Sequence, residues 1–137
     1  MNPLFADTGY WIALLDPNDS LNSKAIELSR FHSKRTVITS EMVLTEVLNH
    51  FSKHGNFLRQ ASSSLVNALI QNPSIIIEAQ TPERFDQALK LYRKRLDQAW
   101  SHTDCASFCI MQQMGIQEAL AYDKHFEQAG YRPLLRF

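Results

Sequence analysis

Four carboxylates stand at positions where chemistry is readily built. Asp7 follows the apolar run Leu4-Phe5-Ala6, and Asp123 follows Glu118-Ala119-Leu120-Ala121-Tyr122, so each lies just past a predicted strand. Asp104 falls in the first turn of an apolar helix, and Glu46 lies on the helix after a second strand. In open parallel α/β sheets, sites form at the carboxyl ends of the strands, and such a sheet would gather all four acids beside one edge. Two carboxylates about 4 Å apart repel by roughly 4 kcal/mol at an effective dielectric of about 20. Three or four in one place require a cation or a shared proton. All-oxygen donor sets select hard ions, Mg2+ or Mn2+, with some waters retained. Such an ion polarises a phosphodiester and activates a water for in-line attack. Each acid alone also has a plainer role: Asp7 and Asp123 as cap or turn residues, Asp104 as half of a capping box, Glu46 as a solvated side chain.

The elements that must position these acids alternate. Residues 3–6 are predicted as a strand and about 8–15 as a helix, closed by the turn Asp16-Pro17-Asn18-Asp19. Asp19 or Ser20 is expected to cap a helix over about 20–32, with Leu21, Ala25, Leu28 and Phe31 at helical spacing. A second strand, 36–39, leads to Ser40, a cap for the helix that carries Val43, Leu44, Val47, Leu48 and Phe51 and that Gly55 is expected to end. A helix over about 57–71 precedes the β-branched strand 74–78. Pro82 opens a helix whose core face is read as Phe85, Leu89, Tyr92 and Leu96. Ser101 and Asp104 form a capping-box pair before a helix that is apolar nearly all round and stopped by Gly115. Strand 118–122, a short helix reaching Gly130 and an edge strand Pro133-Leu134-Leu135 complete the pattern. The expectation is a three-layer α/β/α sandwich around a mostly parallel five-stranded sheet, as a single domain over 1–137.

Fourteen basic and fourteen acidic residues leave no net charge. Setting the four acids aside leaves an excess of four positive charges, so neutrality does not exclude a nucleic-acid partner. No apolar run reaches the ~20 residues of a membrane span, and the N-terminus lacks a signal-peptide pattern. Together with two unpaired-looking cysteines, this predicts a soluble, cytoplasmic protein. Other constellations read more plainly. His102, Cys105 and Cys109 share a helix face but lack a fourth zinc ligand. Glu46, His50 and His54 form a stripe without the His-Glu-x-x-His pattern, and His50 is placed near the mouth of the site. Lys90, Arg93, Lys94 and Arg95 suit a solvated face better than an RNA contact. Tyr10 and Trp11 are as suited to the core as to base stacking.

The ordered set Phe5-Ala6-Asp7-Thr8, Thr45-Glu46-Val47, Thr103-Asp104-Cys105-Ala106 and Tyr122-Asp123-Lys124-His125-Phe126 with Gly130-Tyr131 resembles a PIN domain of the single-domain VapC toxin type. The resemblance covers essentially the whole chain. It implies a Mg2+- or Mn2+-dependent endoribonuclease, with Asp7, Glu46 and Asp104 as core acids and Asp123 as the fourth. It also implies an RNA substrate, an antitoxin partner and a homodimer. Gly9 and Ala121 stand where many members carry a hydroxyl, and Thr8 or Thr103 is a substitute for it. Two other classes compete: a PIN-fold module that binds RNA or protein without catalysis, and a phosphoacceptor domain using Asp7. The second ranks last because no lysine follows a late strand in the required place.

Overall fold

A computed structural model describes every residue from Met1 to Phe137. Strands β1 (Leu4–Ala6), β2 (Val37–Ser40), β3 (Ile75–Glu78), β4 (Glu118–Leu120) and β5 (Arg132–Pro133) form one sheet in the order β3-β2-β1-β4-β5. Every pairing is parallel. Between and around the strands run α1 (Thr8–Leu15), α2 (Asn22–Phe31), α3 (Glu41–Phe51), α4 (Gly55–Gln71), α5 (Pro82–Lys94), α6 (His102–Met114) and α7 (Lys124–Gln128). No helix is long and apolar enough to cross a membrane.

Central strands covered on both faces read as unbroken apolar runs. β1 does so, with Leu4, Phe5 and Ala6 fully buried. Phe5 packs near Phe126 (6.5 Å between ring centroids), and Phe126 meets Phe108 edge-on at 5.0 Å. This aromatic chain ties β1, α6 and α7 together beneath the carboxyl edge of the sheet. α6 buries Cys105, Ala106, Ser107, Phe108, Ile110 and Met111, as its all-round apolarity requires. Gly115 ends it in the left-handed region (φ +67). Side-chain caps start four helices: Ser40 accepts from the Val43 N–H, Thr81 from the Arg84 N–H, Ser101 from the Asp104 N–H and Asp123 from the His125 N–H.

Several boundaries differ from the expectations. Gly55 does not end α3; it opens α4 with φ +89, making the sharp turn after Ser52, which bonds back to the Asn49 carbonyl. His54 accordingly occupies the cap position of α4 and contributes no capping hydrogen bond. α2 starts at Asn22, because Asp19 accepts the Leu21 N–H in a local turn and so does not cap the helix itself. Phe31, expected to face inward, is 80% exposed. On α5 the residues turned to the core are Ala88 and Leu91, and Leu89 is half-buried, whereas Phe85 and Tyr92 are exposed and Leu96 lies beyond the helix. Helical spacing permits either stripe, and the small Ala88 allows close packing of α5 on α6. β4 stops at Leu120, so Ala121 and Tyr122 leave the ladder before Asp123. Pro133 lacks an N–H for the edge ladder, and the chain passes into a 3-10 turn, Leu134–Arg136, where an edge strand was expected.

Candidate active site

The register of β1 and β4 places the first and fourth acids. Phe5 pairs with Ala119 and Ala6 with Leu120, and the Asp7 N–H donates to the Leu120 carbonyl at 3.0 Å. Asp7 therefore emerges at the middle of the sheet's carboxyl edge, level with Ala121 and two residues short of Asp123, which opens α7. Asp7 stands at the start of α1 but makes no capping hydrogen bond, so the plain capping role is not filled. Its carboxyl is buried, and burial pushes its pKa up to about 7. The Thr8 backbone N–H opposes that rise, and the charges of Asp104, Glu46 and Asp123 add to it. Such coupling requires the four acids to be electrostatic neighbours.

Glu46 reaches the same place from α3, which Ser40 caps directly after β2. The Thr8 hydroxyl donates to Glu46 Oε1 at 2.6 Å, clamping the carboxylate against the start of α1. Thr8, next to Gly9, is thus the residue whose hydroxyl contacts Glu46. A Cβ at Gly9 would meet nothing within 4 Å, so the glycine is not there for lack of space. Ala121 is fully buried, so a hydroxyl there would face the core.

Asp104 is oriented by the head of α6. Ser101 Oγ accepts the Asp104 N–H, and Asp104 Oδ2 accepts the Ser101 N–H, each at 3.0 Å. The capping-box role is thus fulfilled and also fixes the carboxylate in the site. Asp123 Oδ1 accepts the His125 N–H at 2.9 Å. His125 Nδ1 lies 3.1 Å from both Asp104 Oδ2 and Asp123 Oδ1. Ligand atoms of Asp104, Asp123 and His125 lie within 4.8 Å of one another. Asp7 and Glu46 stand outside that tight trio but line the same cleft. His125 was not singled out by the sequence, although it lies inside the stretch quoted above. Its only signal is the Asp-x-His spacing at a helix start.

Together these side chains line an open cleft of about 800 Å³. Asp7, Glu46, Asp104 and Asp123 all border it, as do His50 and His125. Its chemistry suits a hard divalent ion. Glu46 Oε1, Asp104 Oδ2 and Asp123 Oδ1 are each held by the protein, which leaves the other oxygen of each carboxylate free of protein hydrogen bonds. One oxygen oriented by the protein and one left to bind is the arrangement expected of a carboxylate ligand. The zinc alternative has no such support: His102 Nε2 lies 3.1 Å from the Phe85 carbonyl, and burial pushes the Cys105 thiol up to about 11. Tyr10 and Trp11 are buried, and Trp11 donates to Thr39 Oγ1, so neither is available to stack on a base. In the basic run, Lys90 pairs with Asp86 and Arg95 with Asp97, away from the cleft.

The parallel α/β/α sandwich carries an acid-lined cleft at its carboxyl edge, and residues 4–130 match the PIN domain model; the chain belongs to the PIN domain family. Among individual relatives, it is 30% identical over 133 residues to the 23S rRNA-specific endonuclease VapC20 of Mycobacterium tuberculosis, strains CDC 1551 / Oshkosh and ATCC 25618 / H37Rv. That match covers 93% of this chain and 95% of the relative. The crystal structure of Mycobacterium tuberculosis VapC20, described as a Sarcin-Ricin loop cleaving toxin, is similar with a TM-score of 0.82 and 29% identity, covering 95% of this chain and 99% of that one.

Proposed function

We propose that this PIN-domain chain is an endoribonuclease that hydrolyses RNA phosphodiester bonds with Mg2+ or Mn2+ and acts as the toxin of a toxin–antitoxin pair. The observation that carries the reading is the meeting of four carboxylates from four separate elements in one cleft. Similarity to a 23S rRNA-specific endonuclease over nearly the whole chain supports the same substrate class. Asp7, Glu46 and Asp104 hold the ion, and Asp123 completes the acidic pocket. When bound, the ion lowers the pKa of a coordinated water and stabilises charge on the phosphate. The protein's own part is positional. Thr8 fixes Glu46, the Ser101 box fixes Asp104, and His125 holds Asp104 and Asp123 in one orientation. An antitoxin that covers the cleft and a homodimer are the partners this role implies, acting in the cytoplasm.

The test is cleavage of a structured ribosomal RNA fragment in EDTA, Mg2+ and Mn2+. Cleavage is expected with either ion and not in EDTA. Equal cleavage with and without EDTA would remove the metal-dependent assignment.

A further inference from the structure

The cleft is an unfavourable place for a polyanion. Five carboxylates border it, those of Asp7, Asp19, Glu46, Asp104 and Asp123, and a single divalent ion neutralises only part of that charge. Only two Lys or Arg side chains border it, Lys124 and Arg136, and both lie on one rim beside Tyr122. That rim is built by the β4–α7 connection and the closing 3-10 turn. Tyr122 is 48% exposed, although it immediately precedes Asp123. The Arg136 guanidinium sits over the Tyr122 ring, 4.9 Å from its centroid, and donates to the Tyr122 carbonyl at 3.0 Å. The turn that carries Arg136 is itself anchored, with Leu134 and Leu135 buried and the Leu135 N–H bonded to the Ala121 carbonyl. An exposed aromatic ring thus stands beside the acids, with the cleft's only two Lys or Arg side chains next to it.

We propose that Tyr122, with Arg136 and Lys124, forms the RNA-docking rim of the cleft: Tyr122 stacks on the base next to the scissile phosphate, and the two cations contact flanking phosphates. The proposal rests on the ribonuclease reading above and gives it a direction of approach. Base–aromatic stacking tolerates any base, so this rim supplies affinity and placement and leaves sequence choice to other contacts. Arg136 serves twice, covering the ring from one side and presenting charge to the backbone, and the exposed part of Tyr122 is left for the base.

Single-turnover cleavage of a short oligoribonucleotide in Mn2+, followed against enzyme concentration, tests this. Tyr122→Ala is expected to raise the half-saturating concentration roughly 5- to 150-fold, with the maximal rate and calorimetric Mn2+ affinity kept near wild type. Tyr122→Phe, which keeps the ring, is expected to behave as wild type. Arg136→Ala is expected to weaken binding and lower the slope of log affinity against log salt by about 0.7. Wild-type half-saturation in Tyr122→Ala overturns the rim and leaves the nuclease reading intact. A wild-type protein that does not cleave overturns the nuclease reading instead. Fluorescence anisotropy with the same oligoribonucleotide then judges the rim alone: Tyr122-dependent binding upholds it, and binding that is absent or indifferent to Tyr122 overturns it.

Discussion

Asp7 is the residue on which the electrostatics of the cleft converge. Burial and three neighbouring acids raise its pKa from the usual carboxylate range to about 7, so the metal-free fold holds a proton that the unfolded chain gives up near pH 4. A folded pKa above the unfolded one means stability that is full at low pH and is lost as pH rises towards 7. The shift corresponds to about 4 kcal/mol at full ionisation. In EDTA, the melting temperature is therefore expected to fall between about pH 4 and pH 7, Asp7→Asn should flatten that fall, and Mn2+ should reverse it for wild type only. Thermal melts across pH read all three; a wild-type profile as flat as that of Asp7→Asn would contradict the account. Thr8 acts on the neighbouring carboxylate. Thr8→Val removes the 2.6 Å bond to Glu46 and is expected to weaken Mn2+ binding about 10- to 100-fold by calorimetry, whereas Thr8→Ser should retain it. At this scale Asp7 and Asp123 stand out because each follows a strand and Asp104 because it opens a helix, whereas Glu46, midway along α3, is marked only by lying on the helix after the second strand. His125 was not legible, because nothing in Asp123-Lys124-His125 says that the ring turns back onto Asp104, a residue on another helix.

At the scale of elements, local chemistry decided most of what positions the site. Ser40 and Ser101 are caps in both sequence and structure, since a serine before an apolar helical run satisfies backbone donors that nothing else reaches. Ser101→Ala is expected to cost about 1 kcal/mol of stability and, by freeing Asp104, to weaken Mn2+ binding as well; Ser101→Thr should restore both. A melt combined with a metal titration separates this from a purely structural cap, which would move only the melt. Gly9 offers the opposite case. Its φ is not positive and a Cβ there meets nothing, so Gly9→Ala should stabilise α1 by up to about 0.5–1 kcal/mol, read as a raised denaturation midpoint. The misread elements failed for physical reasons. Spacing along α5 allows two apolar stripes, and the choice between them is made by α6, which is distant in sequence. Gly55 carries the same residue type whether it ends one helix or starts the next, and only the short α3–α4 turn settles which.

For the whole molecule, the decisive event is the pairing of β1 with both β2 and β4. Alternation along the chain made a parallel sandwich legible, but not the strand order that brings residue 7 beside residue 123. That order is set by long-range burial: Leu4-Phe5-Ala6 is the most thoroughly apolar strand and takes the centre, with Phe126 and Phe108 packed beneath it. Once β1 is central, its carboxyl end is flanked by the helix that follows β2 and by the segment that follows β4, and Glu46 and Asp123 arrive with them. The central claim is that the cleft so formed holds one catalytic divalent ion between these acids. Its most direct test is the rate of RNA cleavage by wild type and by Asp7→Asn across a Mn2+ titration. Saturable, Mn2+-dependent cleavage by wild type and a loss of at least about 100-fold in Asp7→Asn are expected, an effect on the scale of removing a few kcal/mol of transition-state stabilisation. Cleavage by Asp7→Asn at the wild-type rate would contradict it.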